Sequence, residues 1–378
     1  MLYLSCGKIV FMSLSDFSSV VLYLAVFSAA IACAYIGQKK NSKTFCALAI
    51  LLPAILVGFR GLAGTDTEAY RNFYSEIGSE SIGESLERIA NGGMEPFAVL
   101  ISLIGNALRL PASFMLLTFA LITAAFFYAT ARLFNREKAW LFYGVILFIV
   151  FPEGMNMMRQ LAAVSVQAFA LMHIIRTQQA NKKTRWLLVL VLALLSISLH
   201  YSSLLLLPAF ILPVIVKHTA HEKSLALIML IFVAICLFVF PSLLKFIAGA
   251  GILSEKHYNT FLGSGGSIIN INFFCSTILT AILFANYHRR GNPDDKSFSF
   301  LMLAGAIYSA VGFYSGYFGR LSTLFWVFIV IIASDLLCQL FEKNGHRFIA
   351  CAAVAIGYFL LYYCVIGFNA IMPYSFAL

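Results

Sequence analysis

Long apolar runs follow one another along nearly the whole chain, and short polar segments separate them. A helix needs ~20 apolar residues to cross a bilayer, and runs of this length without alternation argue against a membrane β-barrel. The pattern predicts an all-α, polytopic integral membrane protein with about twelve (11–13) transmembrane helices. The predicted spans are roughly 17–36, 44–59, 112–131, 139–151, 156–176, 185–200, 202–217, 223–243, 269–288, 297–317, 320–341 and 347–367.

One polar stretch, residues 60–95, interrupts this pattern between two apolar runs. Seven of the sixteen acidic residues of the chain lie between Asp66 and Glu95. Thr65 stands three residues before Glu68, which predicts a capping box at the start of a helix. An apolar set at helical spacing follows, which predicts an amphipathic helix on the membrane surface: Tyr70, Phe73, Tyr74 and Ile77. A second short helix is expected from about Ser81 to the Gly92-Gly93 pair, with Ile82, Leu86 and Ile89 on one face.

The apolar run at 96–110 is short for a span, and Asn106 and Arg109 interrupt it. If it crossed the membrane, the basic residues at 132–138 would fall outside, against the rule that places Lys and Arg in cytoplasmic loops. We therefore interpret this run as a re-entrant or interfacial segment, which is permitted where protein covers the backbone.

The distribution of charge gives the orientation. The loop 38–43 contains three Lys and is placed in the cytoplasm. The chain is then one transmembrane domain, 1–378, with two periplasmic loops at 60–95 and 244–268. The net charge of +10 comes mostly from short loops and does not indicate nucleic-acid binding. The eight Cys are scattered, mostly in apolar runs and without a CxxC pair, and are interpreted as small core residues.

Four basic side chains lie at the ends of predicted spans outside the cytoplasmic loops, and the topology places all of them at the same outer depth: Arg60, Arg159, His200 and Arg320. Ionisable groups at membrane depth are functional candidates by default. Several Arg together can hold a phosphate or diphosphate through planar contacts, and Asp66 or Glu95 can supply a carboxylate base. We predict that these side chains gather in one pocket that opens to the exterior.

Each candidate also has a structural explanation. Arg60 can extend to lipid head groups, Asp66 and Glu95 can cap helices, and His200 can bond a backbone carbonyl in its turn. Arg159 is the strongest candidate, because it shares one helix face with other polar residues, although a packing bond would also account for it: Asn156, Gln160 and Gln167. Gly312 and Gly316 suit close helix packing, and Tyr314 and Tyr317 suit either an aromatic belt or a sugar platform.

The order of short motifs resembles one family along nearly the whole chain. GFRG, GTDTEAY and EPF are followed by NMMRQLAA, LHYSSLLLLP, GRLSTLF and a terminal MPYSF. This order is similar to that of the EpsG-like branch of Wzy-type polysaccharide (O-antigen) polymerases, which resemble other multi-span, glycosyltransferase-C-like enzymes that use polyprenyl-linked sugars. The resemblance implies a multi-pass protein of the bacterial inner membrane. Such a protein joins oligosaccharide repeat units carried on undecaprenyl diphosphate at the periplasmic face, for O-antigen, capsule or exopolysaccharide.

The resemblance also assigns residues by position. The family's Arg and GTD motif fall on Arg60 and on Gly64, Thr65 and Asp66, and Tyr70 follows. Its Arg-Gln pair falls on Arg159 and Gln160, its His-Ser element on His200 and Ser202 with Tyr201 inserted between them, and its last Arg on Arg320. The expected catalytic residues are Asp66, His200, Arg159 and Arg320, with either Asp66 or His200 as the base. The expected substrate-binding residues are Arg60, Thr65, Tyr70, Glu95, Gln160, Ser202 and Tyr317.

The expected partners are a glycan donor and a glycan acceptor, both linked to undecaprenyl diphosphate, together with membrane lipids and a chain-length regulator protein. No cofactor and no metal are expected, because arginines would neutralise the leaving diphosphate. A lipid-linked oligosaccharide flippase is the main alternative, but it predicts internal repeats and charge at the bilayer midplane. An O-antigen ligase or a membrane O-acyltransferase is a further alternative, and only the resemblance separates a polymerase from a ligase.

Overall fold

The structure is a computed structural model that describes residues 2–5, 8–11, 14–91, 94–180, 183–218, 224, 226–229, 231, 271–290, 293–312, 320–341 and 343–376. The predicted loop 244–268, most of the predicted span 223–243, Gly92-Gly93, Tyr314, Gly316 and Tyr317 lie outside the described residues. Within them the chain is helical apart from an N-terminal antiparallel hairpin, which the sequence did not predict, formed by β1 (Leu2–Ser5) and β2 (Lys8–Phe11).

Fourteen α-helices are numbered here along the described residues. They are α1 Leu14–Lys39, α2 Lys43–Gly58, α3 Thr67–Ser79, α4 Ile82–Ala90, α5 Pro96–Ala107, α6 Ser113–Phe134, α7 Ala139–Ile149, α8 Met158–Gln179, α9 Trp186–Leu199, α10 Pro208–His218, α11 Ile271–Arg290, α12 Pro293–Gly312, α13 Thr323–Gln339 and α14 Asn344–Tyr358. The described residues also include three 3₁₀ turns, Phe151–Met155, Tyr201–Leu206 and Phe368–Ala370, and one π-helix, Phe359–Val365.

Five helical segments of the described part are long and apolar enough to cross a membrane. They are Asp16–Lys39, Ser113–Phe134, Met158–Gln178, Tyr201–His218 and Asn344–Val365, and shorter apolar helices lie near most other predicted spans. A helical membrane protein is therefore confirmed, whereas the count of about twelve spans stays a prediction. A count of apolar runs gives more spans than a count of long helices, and α7 shows why. The apolar run at α7 continues into the 3₁₀ turn Phe151–Met155, so the α-helix itself has only 11 residues.

The chain divides into two compact units. Unit 1 contains Met1–Phe169, Leu190–Tyr201 and Val330–Leu378, and unit 2 contains Ala170–Val189 and Ser202–Ile329. In unit 1, α7 packs against α1, α6 and α14, and α2 packs against α1 and α6. In unit 2, α12 packs against α10 and α11. The expectation of one transmembrane domain stays a prediction.

The polar stretch forms two helices, as predicted, but its capping differs. Asp66 is the N-cap residue of α3 and its side chain makes no capping hydrogen bond, so the predicted capping box of Thr65 and Glu68 is wrong. The capping box forms one helix later, where Ser81 and Glu84 bond each other's backbone N–H at the start of α4. Thr65 is instead directed to other polar side chains, so it takes part in a polar cluster rather than in a cap.

Helix α3 does not lie with its apolar face in the membrane surface. The predicted apolar set is buried in protein, and α3 packs against α5: Tyr70, Phe73, Tyr74 and Ile77. Asn106 Nδ2 donates to Tyr74 O at 2.9 Å, and the Tyr74 hydroxyl donates to Leu110 O at 2.7 Å. The membrane-surface expectation was wrong for α3 because α5 supplies the apolar partner. Helix α4 does expose Ile82 and Leu86.

Helix α5 has 12 residues. At 1.5 Å per residue its length is ~18 Å, well short of a hydrocarbon core of ~30 Å. This length agrees with the interpretation of residues 96–110 as a segment that does not span.

The C-terminal segment 366–376 anchors the loop between α2 and α3. Gly61 N donates to Ser375 O at 2.5 Å and Gly64 N donates to Ala370 O at 2.9 Å. The Tyr23 hydroxyl of α1 donates to Ile371 O at 2.9 Å, which ties the same segment to the bundle. The loop that leads to Thr65 and Asp66 is thereby held at two points by the C-terminal segment.

A methyl group at Gly64 is expected to disrupt this loop. Gly64 has φ +92°, and a Cβ there would lie 2.3 Å from the carbonyl oxygen of Met155. We expect Gly64→Ala to destabilise the protein by ~2 kcal/mol or more, because the strained backbone and the contact with main-chain atoms act together. Gly83→Ala is the matched control, since its Cβ would meet nothing closer than 3.9 Å. Thermal unfolding in detergent measures the effect, and equal midpoints for the two variants would contradict it.

Candidate functional site

Arg60 follows α2 and is fully buried. Its guanidinium donates to Thr67 Oγ1 at 2.9 Å, to Val57 O at 2.7 Å and to Met155 O at 3.2 Å. Burial lowers the pKa of Arg60 to about 10, so the group stays charged at neutral pH. Its full burial contradicts the explanation that Arg60 extends to lipid head groups, whereas its expected role in substrate binding stays a prediction. Each of its three nitrogens donates one hydrogen bond to a protein oxygen, so Arg60 holds the loop together from inside.

Asp66 lies in a group of polar side chains with Thr65 and Asn156. Thr65 Oγ1 donates to Asp66 Oδ1 at 3.1 Å and also contacts the Asn156 side chain. With its amide turned so that nitrogen faces the carboxylate, Asn156 Nδ2 donates to Asp66 Oδ1 at 3.0 Å. The Asn156 amide also meets the Asn369 amide at 3.1 Å, and Asn369 has a left-handed φ of +67°. Asp66 is therefore held by Thr65 and Asn156 rather than used as a helix cap.

Arg159, Glu95 and His200 form the second group. Glu95 Oε2 accepts from Arg159, and Glu95 Oε1 lies 2.5 Å from His200 Nδ1. Glu95 precedes α5, but its side chain makes no capping bond there, so the capping explanation does not hold. The bond from His200 likewise goes to a carboxylate rather than to a backbone carbonyl. One carboxylate thus joins the start of α5, the first turn of α8 and the end of α9.

Tyr70 connects the two groups. Its hydroxyl donates to Asn156 O at 3.0 Å, and the Arg159 guanidinium carbon lies 5.6 Å from the centre of its ring. Arg159 also contacts Met94 Sδ, and the Tyr201 hydroxyl donates to Met94 O at 3.2 Å. Six of the predicted site residues are therefore joined by one chain of contacts: Thr65, Asp66, Tyr70, Glu95, Arg159 and His200.

The electrostatics favour a charged cluster. Burial raises the pKa of Glu95, but the hydrogen bond from His200 and the charge of Arg159 outweigh burial, and the resulting pKa is lower than usual. Glu95 is thus ionised at neutral pH. Arg159 is partly exposed, yet its Nε is buried and donates to no acceptor in the described part of the chain. The partly exposed guanidinium is the part of Arg159 that an added anion can reach.

The remaining predicted residues belong to other parts of the described chain or lie outside the described residues. Gln160 is buried beside Arg159 in α8. Arg320 and Ser202 belong to unit 2, where Arg320 is exposed and Ser202 is half-buried. Their roles, and the binding role of Gln160, stay predictions. Tyr317 lies outside the described residues.

Two residues of this region were missed by sequence reasoning. Asn369 had no signal of its own, although it stands just before the terminal MPYSF motif. Glu153 lies in the 3₁₀ turn between α7 and α8, and its buried carboxyl has a pKa raised to about 8 by desolvation. The sequence did contain a signal for Glu153, since it is an acid in the segment FPEGM between two apolar runs. An acid at membrane depth is costly, so its presence there could have marked it as a candidate.

Replacing Glu153 with Gln is expected to stabilise the protein at high pH. The folded pKa of about 8 lies above the ordinary value of 4.5, so the wild type loses stability as the pH rises from 4.5 through 8. The loss is ~1.4 kcal/mol per pH unit, and Gln, which has no proton to lose, avoids it. Unfolding midpoints should differ little at pH 5 and clearly at pH 9, where the Glu153→Gln variant should be the more stable protein. If the two unfolding midpoints differed by the same amount at pH 5 and pH 9, the conclusion that Glu153 is buried in its neutral form would be contradicted.

Fold and site together define a helical, multi-span membrane protein with an Arg–Glu–His cluster at one end of unit 1. The sequence model of the EpsG family matches residues 43–376, nearly the whole chain, and the protein belongs to the EpsG family. The expected family is therefore confirmed, and it indicates a membrane protein of polysaccharide biosynthesis. A search among curated proteins finds no match.

Proposed function

We propose that this protein is a glycosyltransferase that polymerises oligosaccharide repeat units carried on undecaprenyl diphosphate, at the periplasmic face of the bacterial inner membrane. The observation that carries the proposal is the contact of Glu95 with both Arg159 and His200. This contact holds a partly exposed arginine and an oriented imidazole on one carboxylate, in a chain that belongs to the EpsG family.

The reaction needs a base and a charge-stabilising group. A sugar hydroxyl of the acceptor attacks the anomeric carbon of the donor glycan, the new glycosidic C–O bond forms, and the bond to the diphosphate oxygen breaks. The hydroxyl proton passes to a base, and undecaprenyl diphosphate leaves with the electron pair. Negative charge grows on the leaving oxygen, so a fixed cation there stabilises the transition state more than the ground state.

His200 is the base in this proposal. Glu95 accepts from Nδ1, which fixes the neutral tautomer with a lone pair on Nε2. When Nε2 takes the acceptor proton, the ionised Glu95 stabilises the imidazolium that forms. Glu95 is thus a positioning residue, not the base. Asp66, held by Thr65 and Asn156, is assigned to acceptor binding through sugar hydroxyls.

Arg159 is the group that stabilises the leaving diphosphate. Its guanidinium is partly exposed and is oriented by Glu95 and Tyr70, so it is pre-positioned for a phosphate oxygen. Arg320 is proposed as a second cation for the diphosphate. Because arginines carry this charge, the reaction is proposed to need no metal.

Purified protein in liposomes tests the proposal directly. Supplied with lipid-linked repeat units, it should produce a ladder of longer lipid-linked glycans, and excess EDTA should leave the ladder intact. Loss of extension on chelation would contradict metal independence. Transfer of a finished polymer to another acceptor without chain growth would support a ligase. Movement of the unit across the bilayer without a new glycosidic bond would support a flippase.

A further inference from the structure

An apolar groove runs along unit 1 away from the candidate site. Its volume is about 310 Å³ and apolar side chains of α1, α7 and α14 line it. Helix α7 contacts both α1 and α14. Gly144 of α7 lies against Ile31 of α1, where even a methyl group would meet the Ile31 side chain at 2.8 Å. The floor of the groove is therefore α7, and α1 and α14 form its walls.

The groove ends in an aromatic cluster. The ring centres of Tyr35 and Trp140 lie 5.3 Å apart, and those of Trp140 and Phe348 lie 5.5 Å apart. Tyr and Trp are enriched at membrane–water interfaces, where their polar atoms meet head groups. Tyr23, near the candidate site, precedes Tyr35 by ~18 Å along α1, since each residue adds ~1.5 Å. The aromatic cluster thus marks the end of the bundle that is remote from the site.

Basic residues surround this end. Lys39 Nζ lies 5.8 Å from the Tyr35 ring centre, and Lys40 and Arg136 are exposed in the turns that follow α1 and precede α7. Lys138 pairs with Asp335 at 3.6 Å. Within the described residues of these turns, basic side chains outnumber acidic ones. Basic pockets between membrane helices bind anionic lipid head groups.

We propose that this groove binds an anionic phospholipid, with an acyl chain between α1 and α14 and its phosphate at Lys39 and Arg136. Charge complementarity selects an acidic head group, and the apolar lining selects a hydrocarbon chain. The groove and its basic rim carry this proposal, and only the exclusion of the substrate lipid rests on the function proposed above. A polyprenyl diphosphate bound for reaction must place its phosphates at Arg159, at the other end of unit 1, so the groove holds a different lipid.

The three tryptophans of the chain allow a direct test. A protein that retains only Trp140 (W186F and W326F) reports on the groove. A protein that retains only Trp186 (W140F and W326F) is the matched control, because Trp186 is exposed and follows the basic residue Arg185. Each is placed in bilayers that contain brominated phosphatidylglycerol or brominated phosphatidylcholine at equal mole fraction, and quenching of fluorescence gives the relative lipid affinity.

Trp140 should prefer phosphatidylglycerol by about fivefold or more, the effect of about one basic residue near an acidic head group. Trp186 should show a clearly smaller preference. The double substitution Lys39→Gln and Arg136→Gln should remove the preference at Trp140 only. Equal quenching of Trp140 by the two lipids, the same preference at Trp186, or a preference that survives the double substitution would each overturn the proposal.

Discussion

His200→Ala is expected to lower the rate of glycan extension by about 10²–10⁴-fold, the usual contribution of a general base. The imidazole is the group that Glu95 orients. Alanine removes it, so no base takes the proton from the hydroxyl of the acceptor glycan. Glu95 keeps its contact with Arg159, so the cluster retains one ion pair and the fold should survive. The measurement is the initial rate of ladder formation in liposomes by wild-type and variant protein at equal, verified amounts.

His346→Ala is the control for this experiment, because His346 is an exposed histidine near the basic end of unit 1. It should extend glycans at the wild-type rate. A Glu95→Gln variant should lose part of the activity through kcat with little change in KM, since it weakens the orientation of His200 and leaves the base present. If His200→Ala extended glycans as fast as the wild type, the base would have to be another group, and Asp66 would be the next candidate.

Arg159→Gln is expected to lower extension by about 10²–10³-fold, the cost of removing one donor that stabilises transition-state charge. Arg159→Lys should retain only a small part of the wild-type extension rate, because lysine is a point charge without the planar pair of donors. Donor affinity should fall less than the rate, since the charge that Arg159 stabilises grows as the bond breaks.

Folding must be separated from catalysis for this variant, because Glu95 then loses its cation. The double variant Arg159→Gln and Glu95→Gln removes both charges, and it should regain thermal stability without regaining activity. Arg109→Gln is the matched control: Arg109 is exposed in the turn after α5. Recovery of extension in the double variant would show that Arg159 serves only to neutralise Glu95.

Much of this arrangement could be predicted from the sequence. The apolar runs predicted membrane helices, and α1, α2, α6 and α8 begin and end within a few residues of the predicted spans. The polar side chains on one face of α8 singled out Arg159, because a charge at membrane depth needs a partner. The motif order indicated the family that the comparison confirmed.

The errors concern contacts between residues that are far apart in the chain, because the spacing of apolar residues does not reveal such contacts. Helix α3 was predicted as a surface helix because its apolar residues recur at helical spacing, yet α5, with Asn106, covers that face. The hydrogen bonds of Arg60 could not be predicted, because its acceptors include Met155, which lies 95 positions away in the chain. The C-terminal segment that supports the loop at Gly61 and Gly64 had no local pattern that would place it there.

A structure of the protein bound to an undecaprenyl diphosphate-linked glycan tests the central claim most directly. The account predicts a phosphate oxygen within ~3 Å of the Arg159 guanidinium, with the anomeric carbon on the side of His200. A diphosphate bound at the basic end near Lys39, or bound without contact to Arg159, would contradict it.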